Sequence, residues 1–174
     1  MSRASVIVVC AIAVIAMLSI HSQRVLPKPI QEFIAESFDP VSHFSGLPAE
    51  IQQSLRSKFD PTGSHVAMSG IADANMPFNV SDIVDESLPM RQYIMGGTSS
   101  TLAFVLYEHG GVGIHFHFVL YRHESKRWVM VFADRIGNPF SHDVFPRPPS
   151  SLDQLKQILG QVELANEKDI EYCW

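Results

Sequence analysis

The feature that most constrains the fold is a series of four apolar stretches between residues 91 and 134. They are rich in aromatic and β-branched residues, and short segments containing glycine or polar residues separate them. The stretches are 91–95, 101–107, 112–122 and 127–134. Residues of these types favour strands, and separators this short favour hairpins. The pattern therefore predicts an antiparallel meander.

Two main helices are predicted on either side of the meander. The first spans 48–59, where apolar side chains recur at every fourth position. The second spans 151–160, where Ser151 and Gln154 make a capping box ahead of an apolar stripe. Segment 30–38 is expected to add one or two helical turns.

These elements predict an α+β domain in which an antiparallel sheet of four to five strands carries both main helices on one face. About 150 residues follow the N-terminal apolar segment, enough for one domain with its own core. The predicted organisation is 1–22 as signal peptide or N-terminal transmembrane anchor, 23–46 as spacer and short helical segment, 47–160 as globular domain and 161–174 as acidic C-terminal tail.

The N-terminal apolar run, residues 4–20, contains no charged residue and follows a single Arg3. As a helix it would be roughly 25 Å long, slightly short of a hydrocarbon core of about 30 Å. It is also longer than a typical signal-peptide apolar region. We expect it to anchor the protein in a membrane, with the globular domain outside the cytoplasm. The alternative is a cleaved signal that releases a secreted or periplasmic protein.

The charge balance argues against one class of partner. The chain has 13 Lys and Arg against 18 Asp and Glu, a net charge of -5, and no basic block. Nucleic-acid binding is therefore disfavoured. The two cysteines, Cys10 and Cys173, lie in the apolar run and next to the C-terminus. We therefore expect no disulfide inside the domain.

The hairpin turns predict the register of the sheet. If turns are centred on 110–111 and 125–126, counting places Phe104 opposite His117, and His117 opposite Asp134. One face is then mixed in character and carries Phe104, Leu106, His115, His117, Val119, Tyr121, His123, Trp128, Met130, Phe132 and Asp134. The other face is predicted to be the core and carries Ala103, Val105, Tyr107, Ile114, Phe116, Phe118, Leu120, Val129, Val131 and Ala133.

The mixed face contains a candidate metal site. His115 and His117 project to the same side of a strand, and Asp134 opposite them would be a third ligand for an ion such as zinc. The nearest residues in sequence that would complete the set are His109, His142 and Asp143. The same pattern also describes an ordinary cross-strand polar contact. That contact, without a cofactor, is the expectation.

A proline-rich segment, 137–149, is predicted to fold over the sheet. Its Phe140 and His142, together with Tyr121 of the mixed face, are predicted to contact a ligand or partner.

No catalytic motif is evident, whether a nucleophile elbow, a zinc-protease helix or a phosphate loop. We therefore expect a non-enzymatic envelope protein that binds another protein or a small ligand. One alternative is a metal-binding protein or metal-dependent enzyme that uses His115, His117 and Asp134. Another is a structural component of a membrane complex.

Overall fold

The computed structural model describes residues 25–80, 84–111, 115–136 and 148–161. The predicted signal or anchor segment and the acidic tail beyond residue 161 lie outside this part of the chain. No helix within the described ranges is long and apolar enough to cross a membrane. The described helices are α1 (Lys28–Ala35), α2 (Ala49–Phe59) and α3 (Leu152–Gln161), with a short 3-10 helix at Phe44–Gly46. The strands are β1 (Asp39–Val41), β2 (Ile71–Ala72), β3 (Arg91–Thr98), β4 (Leu102–His109), β5 (His115–Glu124) and β6 (Arg127–Ile136).

The predicted helices are confirmed, and their ends follow from local chemistry. Pro48 precedes α2 as its N-cap, because its fixed φ suits a helix entry and it has no N–H to leave unpaired. At the start of α3 the Ser151 hydroxyl accepts a hydrogen bond from the Gln154 N–H at 3.2 Å. The Gln154 side chain accepts from the N–H of Ser150, not of Ser151. In a standard capping box the Gln154 side chain would accept from the N–H of Ser151, so this second hydrogen bond is displaced by one residue.

The meander prediction is also confirmed, within a larger sheet. Strands β3, β4, β5 and β6 are antiparallel neighbours in chain order. Two short strands share the outer edge of β3: β1 pairs antiparallel with its second half, and β2 pairs parallel with its first half. The described sheet thus has six strands, one more than the predicted maximum.

The predicted register between β4 and β5 is wrong. His115 lies opposite His109, and His117 lies opposite Tyr107, not Phe104. The strands end at His109 and begin again at His115, so five residues separate them, whereas the prediction assumed an even number centred on 110–111. Because side chains alternate along a strand, this odd shift places β4 on the opposite faces from those predicted.

A bulge at Val131 also changes the register between β5 and β6. From the turn to Tyr121 the predicted register holds, but Val131 has no counterpart on β5. Beyond it, Asp134 lies opposite Phe118 instead of His117. The predicted cross-strand pair of His117 and Asp134 is therefore wrong, because an inserted residue reverses the faces of the rest of the strand.

Both faces of the sheet are buried, and the main helices lie on opposite faces. Helices α1 and α3 cover what we call the two-helix face, and α2 covers the one-helix face. The prediction that both main helices share a face is wrong. On the two-helix face the buried strand residues are Leu102, Phe104, Leu106, Phe116, Phe118, Leu120, Phe132 and Ile136. On the one-helix face they include Tyr93, Ala103, Val105, Tyr107, Val119, Tyr121 and Ala133. Because each face is largely apolar, each needs its own covering layer.

Two glycines that suggested a turn are instead inside β3. A Cβ on Gly96 would lie 2.5 Å from the Tyr93 hydroxyl, and one on Gly97 would lie 2.7 Å from the Phe104 ring. Their role is close packing at the sheet surface, since neither has a positive φ.

Candidate functional site: a histidine–arginine cluster

An outer row of polar side chains lies at one end of the one-helix face. Arg91, the first residue of β3, is paired with His109, the last residue of β4. His109 is in turn paired with His115, the first residue of β5. Residues directly opposite each other on neighbouring strands project to the same face, so these three side chains form one row.

An inner row lies two residues further into the sheet. Tyr93, Tyr107, His117 and Arg135 are paired across β3, β4, β5 and β6 in that order. We define the histidine–arginine cluster as the basic side chains of both rows. Its members are Arg91, His109, His115, His117 and Arg135.

His117 is the centre of the cluster. Its ring stacks on Tyr107, with centroids 5.0 Å apart and planes inclined by 10°. The rings of His109 and His115 stand edge-on to it, with centroids at 6.1 Å and 6.4 Å. Three imidazole rings from two strands therefore lie next to one another at the end of the sheet.

The last turn of α2 covers the inner side of the cluster. Phe59, the last residue of α2, packs edge-on against Tyr107 at a centroid distance of 5.5 Å. The Arg91 guanidinium lies 3.8 Å from the Phe59 ring centroid, and Arg91 donates a hydrogen bond to the Met68 carbonyl at 3.3 Å. Arg91 is only 3% exposed. Packing against the ring and the backbone thus fixes a buried cation beside the histidines.

A loop centred on Asn79 supports the outer end of the cluster. The Gly110 N–H donates to the Met90 carbonyl at 2.9 Å. A Cβ on Gly110 would lie 1.7 Å from the Asn79 carbonyl oxygen, so this position accepts glycine alone. The loop therefore packs directly against the residue that follows His109.

Asn79 also begins a glycosylation sequon, Asn-Val-Ser. Its amide nitrogen donates to the carbonyls of Asp85 and Leu88, both at 2.9 Å, and its amide oxygen accepts from the Asp85 N–H. A glycan would replace one of these donor hydrogens on a buried side chain. In the folded domain the Asn79 side chain therefore stabilises the loop through these hydrogen bonds.

All three imidazoles of the cluster have lowered pKa values. Burial is the main cause for His117, whose pKa lies well below its ordinary value, and the surrounding imidazoles and the two arginines lower it further. Burial and the positive charge of Arg91 lower the pKa of His109 to about 4. Burial and Arg135 also lower the pKa of His115. At neutral pH these imidazoles are uncharged.

Two imidazole nitrogens of the cluster lack a hydrogen-bond partner among the described residues. They are Nδ1 of His115 and Nε2 of His117, and both atoms are buried. Leaving a buried polar atom unpaired costs about 1–3 kcal/mol. Such atoms are uncommon in native proteins, and each one calls for an explanation.

The charges that act on the three imidazoles are all positive. Each of their pKa values is lowered by Arg91, Arg135 or both, and no carboxylate in the described part of the chain offsets this effect. The nearest acids along the strands, Glu108 and Asp134, are paired with residues of the two-helix face.

The structure therefore brings together only part of the predicted metal set. His115 and His117 share a face, and His109 joins them from β4. Asp134 lies on the opposite face of the sheet. Within the described ranges, no three His, Cys, Asp or Glu side chains are grouped so as to hold a metal ion. The charge pattern did not predict Arg91 and Arg135, because their place in the cluster depends on strand register.

The other predicted contact residues lie elsewhere. Tyr121 is fully buried beneath α2, where its hydroxyl donates to the Ser54 hydroxyl at 3.3 Å. This position gives Tyr121 a packing role, and its part in ligand binding stays a prediction. Phe140, His142 and Asp143 lie outside the described residues.

Comparison with known proteins adds no relationship to this geometry. No protein-family model, curated protein or solved structure matches the chain.

Proposed function

We propose that this is a non-enzymatic ligand-binding domain whose binding site is the histidine–arginine cluster. The observation that carries the proposal is the pair of buried nitrogens, on His115 and His117, that have no partner among the described residues. A bound ligand would supply the missing hydrogen bonds. Departures from full polar satisfaction concentrate at functional sites, where their cost is retained for a purpose.

The accessibility of the cluster supports the same proposal. His109 and His115 are half-buried and Arg135 is exposed, whereas His117 is 4% exposed. A ligand entering from solvent would therefore meet Arg135 and the two outer imidazoles before it reached His117.

Binding is best tested by ¹⁵N NMR of the histidine side chains. The probes are sodium acetate, inorganic phosphate, acetamide, ethylamine and zinc chloride, each added separately to the whole protein. We expect at least one probe to shift the ring resonances of His115 and His117. His123 is the matched control, because it lies on the same strand and face but at the far end, stacked on Trp128 at 4.8 Å. If no probe shifts the cluster resonances more than those of His123, the proposal is wrong.

A second candidate function is transition-metal binding. It is favoured by three imidazoles that burial keeps neutral, since a neutral imidazole is the form that coordinates a metal. His115 and His117 would be two of the ligands, and a further ligand would have to come from outside the described ranges, within which no three His, Cys, Asp or Glu side chains are grouped so as to hold an ion. Elemental analysis of the purified protein, repeated on His115→Ala and His117→Ala, tests it. Stoichiometric zinc, iron or copper that both substitutions remove would favour this candidate over the first.

We also propose that residues 4–20 hold the protein on a membrane, with the globular domain outside the cytoplasm. The proposal is supported by the length of the uncharged run and by the poor match to a cleavage site before Gln23. Cell fractionation with N-terminal sequencing of the mature protein tests it. A soluble species that begins near Gln23 would show that the run is only an export signal.

A further inference from the structure

We infer that the ligand of the histidine–arginine cluster is a small oxyanion, either a carboxylate or a phosphate group. The inference rests on the proposed function, since it names the chemistry of the ligand at that same site.

The first argument is the placement of fixed positive charge. Arg91 begins the outer row on β3, and Arg135 ends the inner row on β6. Across the sheet, three strand spacings of about 4.8 Å each separate β3 from β6, and the imidazoles lie on the strands between them. Guanidinium groups keep their charge at every physiological pH and match the geometry of carboxylate and phosphate oxygens. An anion at the imidazoles would therefore have a permanent cation on each side.

The second argument is that, in the described part of the chain, no carboxylate of β4 or β6 faces the imidazoles or pairs with Arg135. Along β4 and β6 the acids Glu108 and Asp134 are paired with residues of the other face. Arg135 makes no ion pair with any carboxylate of the described ranges. A cation entering this cluster would be repelled by both arginines, whereas an anion would be attracted. The surroundings therefore favour an anion over a metal ion.

The third argument is the supply of hydrogen-bond donors. A neutral imidazole carries one N–H, and either nitrogen can bear it. In the tautomers protonated at His115 Nδ1 and His117 Nε2, the two nitrogens without described partners become donors. An oxyanion accepts several hydrogen bonds at once, so a single group would satisfy both imidazoles and a guanidinium.

The degree of burial limits the size of the group. His117 stacks against Tyr107 on the neighbouring strand and is 4% exposed, so only a small head group can reach it. The half-buried His109 and His115 leave the outer side open. The rest of a larger ligand would remain in solvent beside Arg135.

The test is calorimetric titration of the whole protein with sodium acetate, inorganic phosphate, the neutral acetate analogue acetamide and zinc chloride, each added separately. We expect one of the two anions to bind and acetamide not to bind. Arg135→Gln and His115→Gln should each weaken anion binding about tenfold or more, because each removes a hydrogen bond to a charged group. Arg127→Gln is the matched control, because Arg127 lies at the opposite end of the same strand. It should leave the affinity unchanged.

The possible outcomes separate the inference from the proposed function. Tighter binding of phosphate identifies a phosphate group as the ligand, and tighter binding of acetate identifies a carboxylate. If acetamide binds as well as acetate, or if only zinc binds, the anion inference is wrong although a ligand site exists. If no probe binds, the proposed function itself is wrong. Urea denaturation of each variant shows whether a lost affinity reflects unfolding. Arg135 is exposed, so its variant should fold normally.

Discussion

The two faces of the same sheet differ in what they bury. The two-helix face is packed with phenylalanines: the Phe33 ring of α1 lies 4.8 Å from Phe118 and 5.1 Å from Phe104, both edge-on. The one-helix face buries tyrosines and an imidazole beside a cation. The two-helix face is stabilised mainly by apolar burial, and it also buries the Asp134 carboxylate. On the one-helix face, buried nitrogens of His115 and His117 have no hydrogen-bond partner among the described residues. The phenylalanine core and the proposed ligand site therefore lie on opposite faces of the same strands.

The largest expected effect comes from removing an aromatic ring on the two-helix face. Phe118→Ala should lower the free energy of unfolding by about 3–5 kcal/mol, because Phe118 is fully buried among other rings. The adjacent Val119 points to the other face, and Val119→Ala should cost about 2 kcal/mol. Urea denaturation measures both. A Phe118→Ala cost below that of Val119→Ala would contradict the contrast between the faces.

A substitution on the one-helix face should have the opposite sign. His117→Phe removes the buried Nε2 and keeps a ring stacked on Tyr107, so it should raise the free energy of unfolding by about 1–2 kcal/mol at neutral pH. It should also abolish binding of the anion. The control His123→Phe changes an exposed ring and should alter stability by less than about 0.5 kcal/mol. A clear loss of stability in His117→Phe would show that His117 contributes to folding and is not a strained functional group.

Acidification should weaken the fold through the same face. The folded-state pKa of His109 is lowered from 6.5 to about 4, and that of His117 is lowered as well. Between these values the unfolded chain binds more protons than the folded one. The contribution of these two imidazoles to the free energy of unfolding is therefore fully present above about pH 6.5, and it declines as the pH falls toward about 4. Arg91, Arg135 and His115 face His109 and His117, and they repel these two imidazoles once the imidazoles are protonated.

Urea midpoints measured at about pH 7.5 and about pH 5 test this dependence. The midpoint should fall less between these values in His117→Phe than in the unmodified protein. A saturating concentration of whichever anion binds should also reduce the fall, because an anion stabilises the charged imidazoles. An equal fall in the variant and the unmodified protein would exclude His117 as the source.

The smallest expected change in stability concerns the turn between β5 and β6, next to which the strands pair in the predicted register. Ser125 and Lys126 both have positive φ, at 49° and 70°, which is costly for residues other than glycine, asparagine or aspartate. Lys126→Gly should therefore raise the free energy of unfolding by about 1 kcal/mol. Lys126 is exposed and lies at the end of the sheet opposite to the histidine–arginine cluster. Anion affinity should not change, and a change in it would mean that the turn communicates with the cluster.

The sequence predicted the elements better than their contacts. Apolar spacing predicted α2, α3 and the four meander strands, because the period of a helix or strand is a local property. The turn at Ser125 and Lys126 was also predictable, since only two polar residues separate the strands. The pairing of His115 with His117 on one face follows from alternation alone.

The predicted contacts were wrong wherever one additional residue in a connection or a bulge reverses which face of the sheet the following side chains occupy. The five-residue connection at 110–114 and the bulge at Val131 each exchange the faces of a strand, and neither has a distinctive sequence signal. As a result, Asp134 lies on the face opposite His115 and His117. Arg91, His109 and Arg135 lie on the same face as these two histidines. The placement of α2 and α3 on opposite faces was also not predicted, although apolar residues lie on both faces of the strands.

The sequence by itself determined the strand and helix segments and the two-residue spacing of His115 and His117. It also led to the expectation of a membrane anchor. These depend on neighbours within a few positions along the chain. The tertiary structure alone decided which charges surround those imidazoles, because register brings together residues as far apart as Arg91 and Arg135. Burial then set their pKa values, since the environment of an ionisable group is formed by strands and helices that the local sequence does not specify.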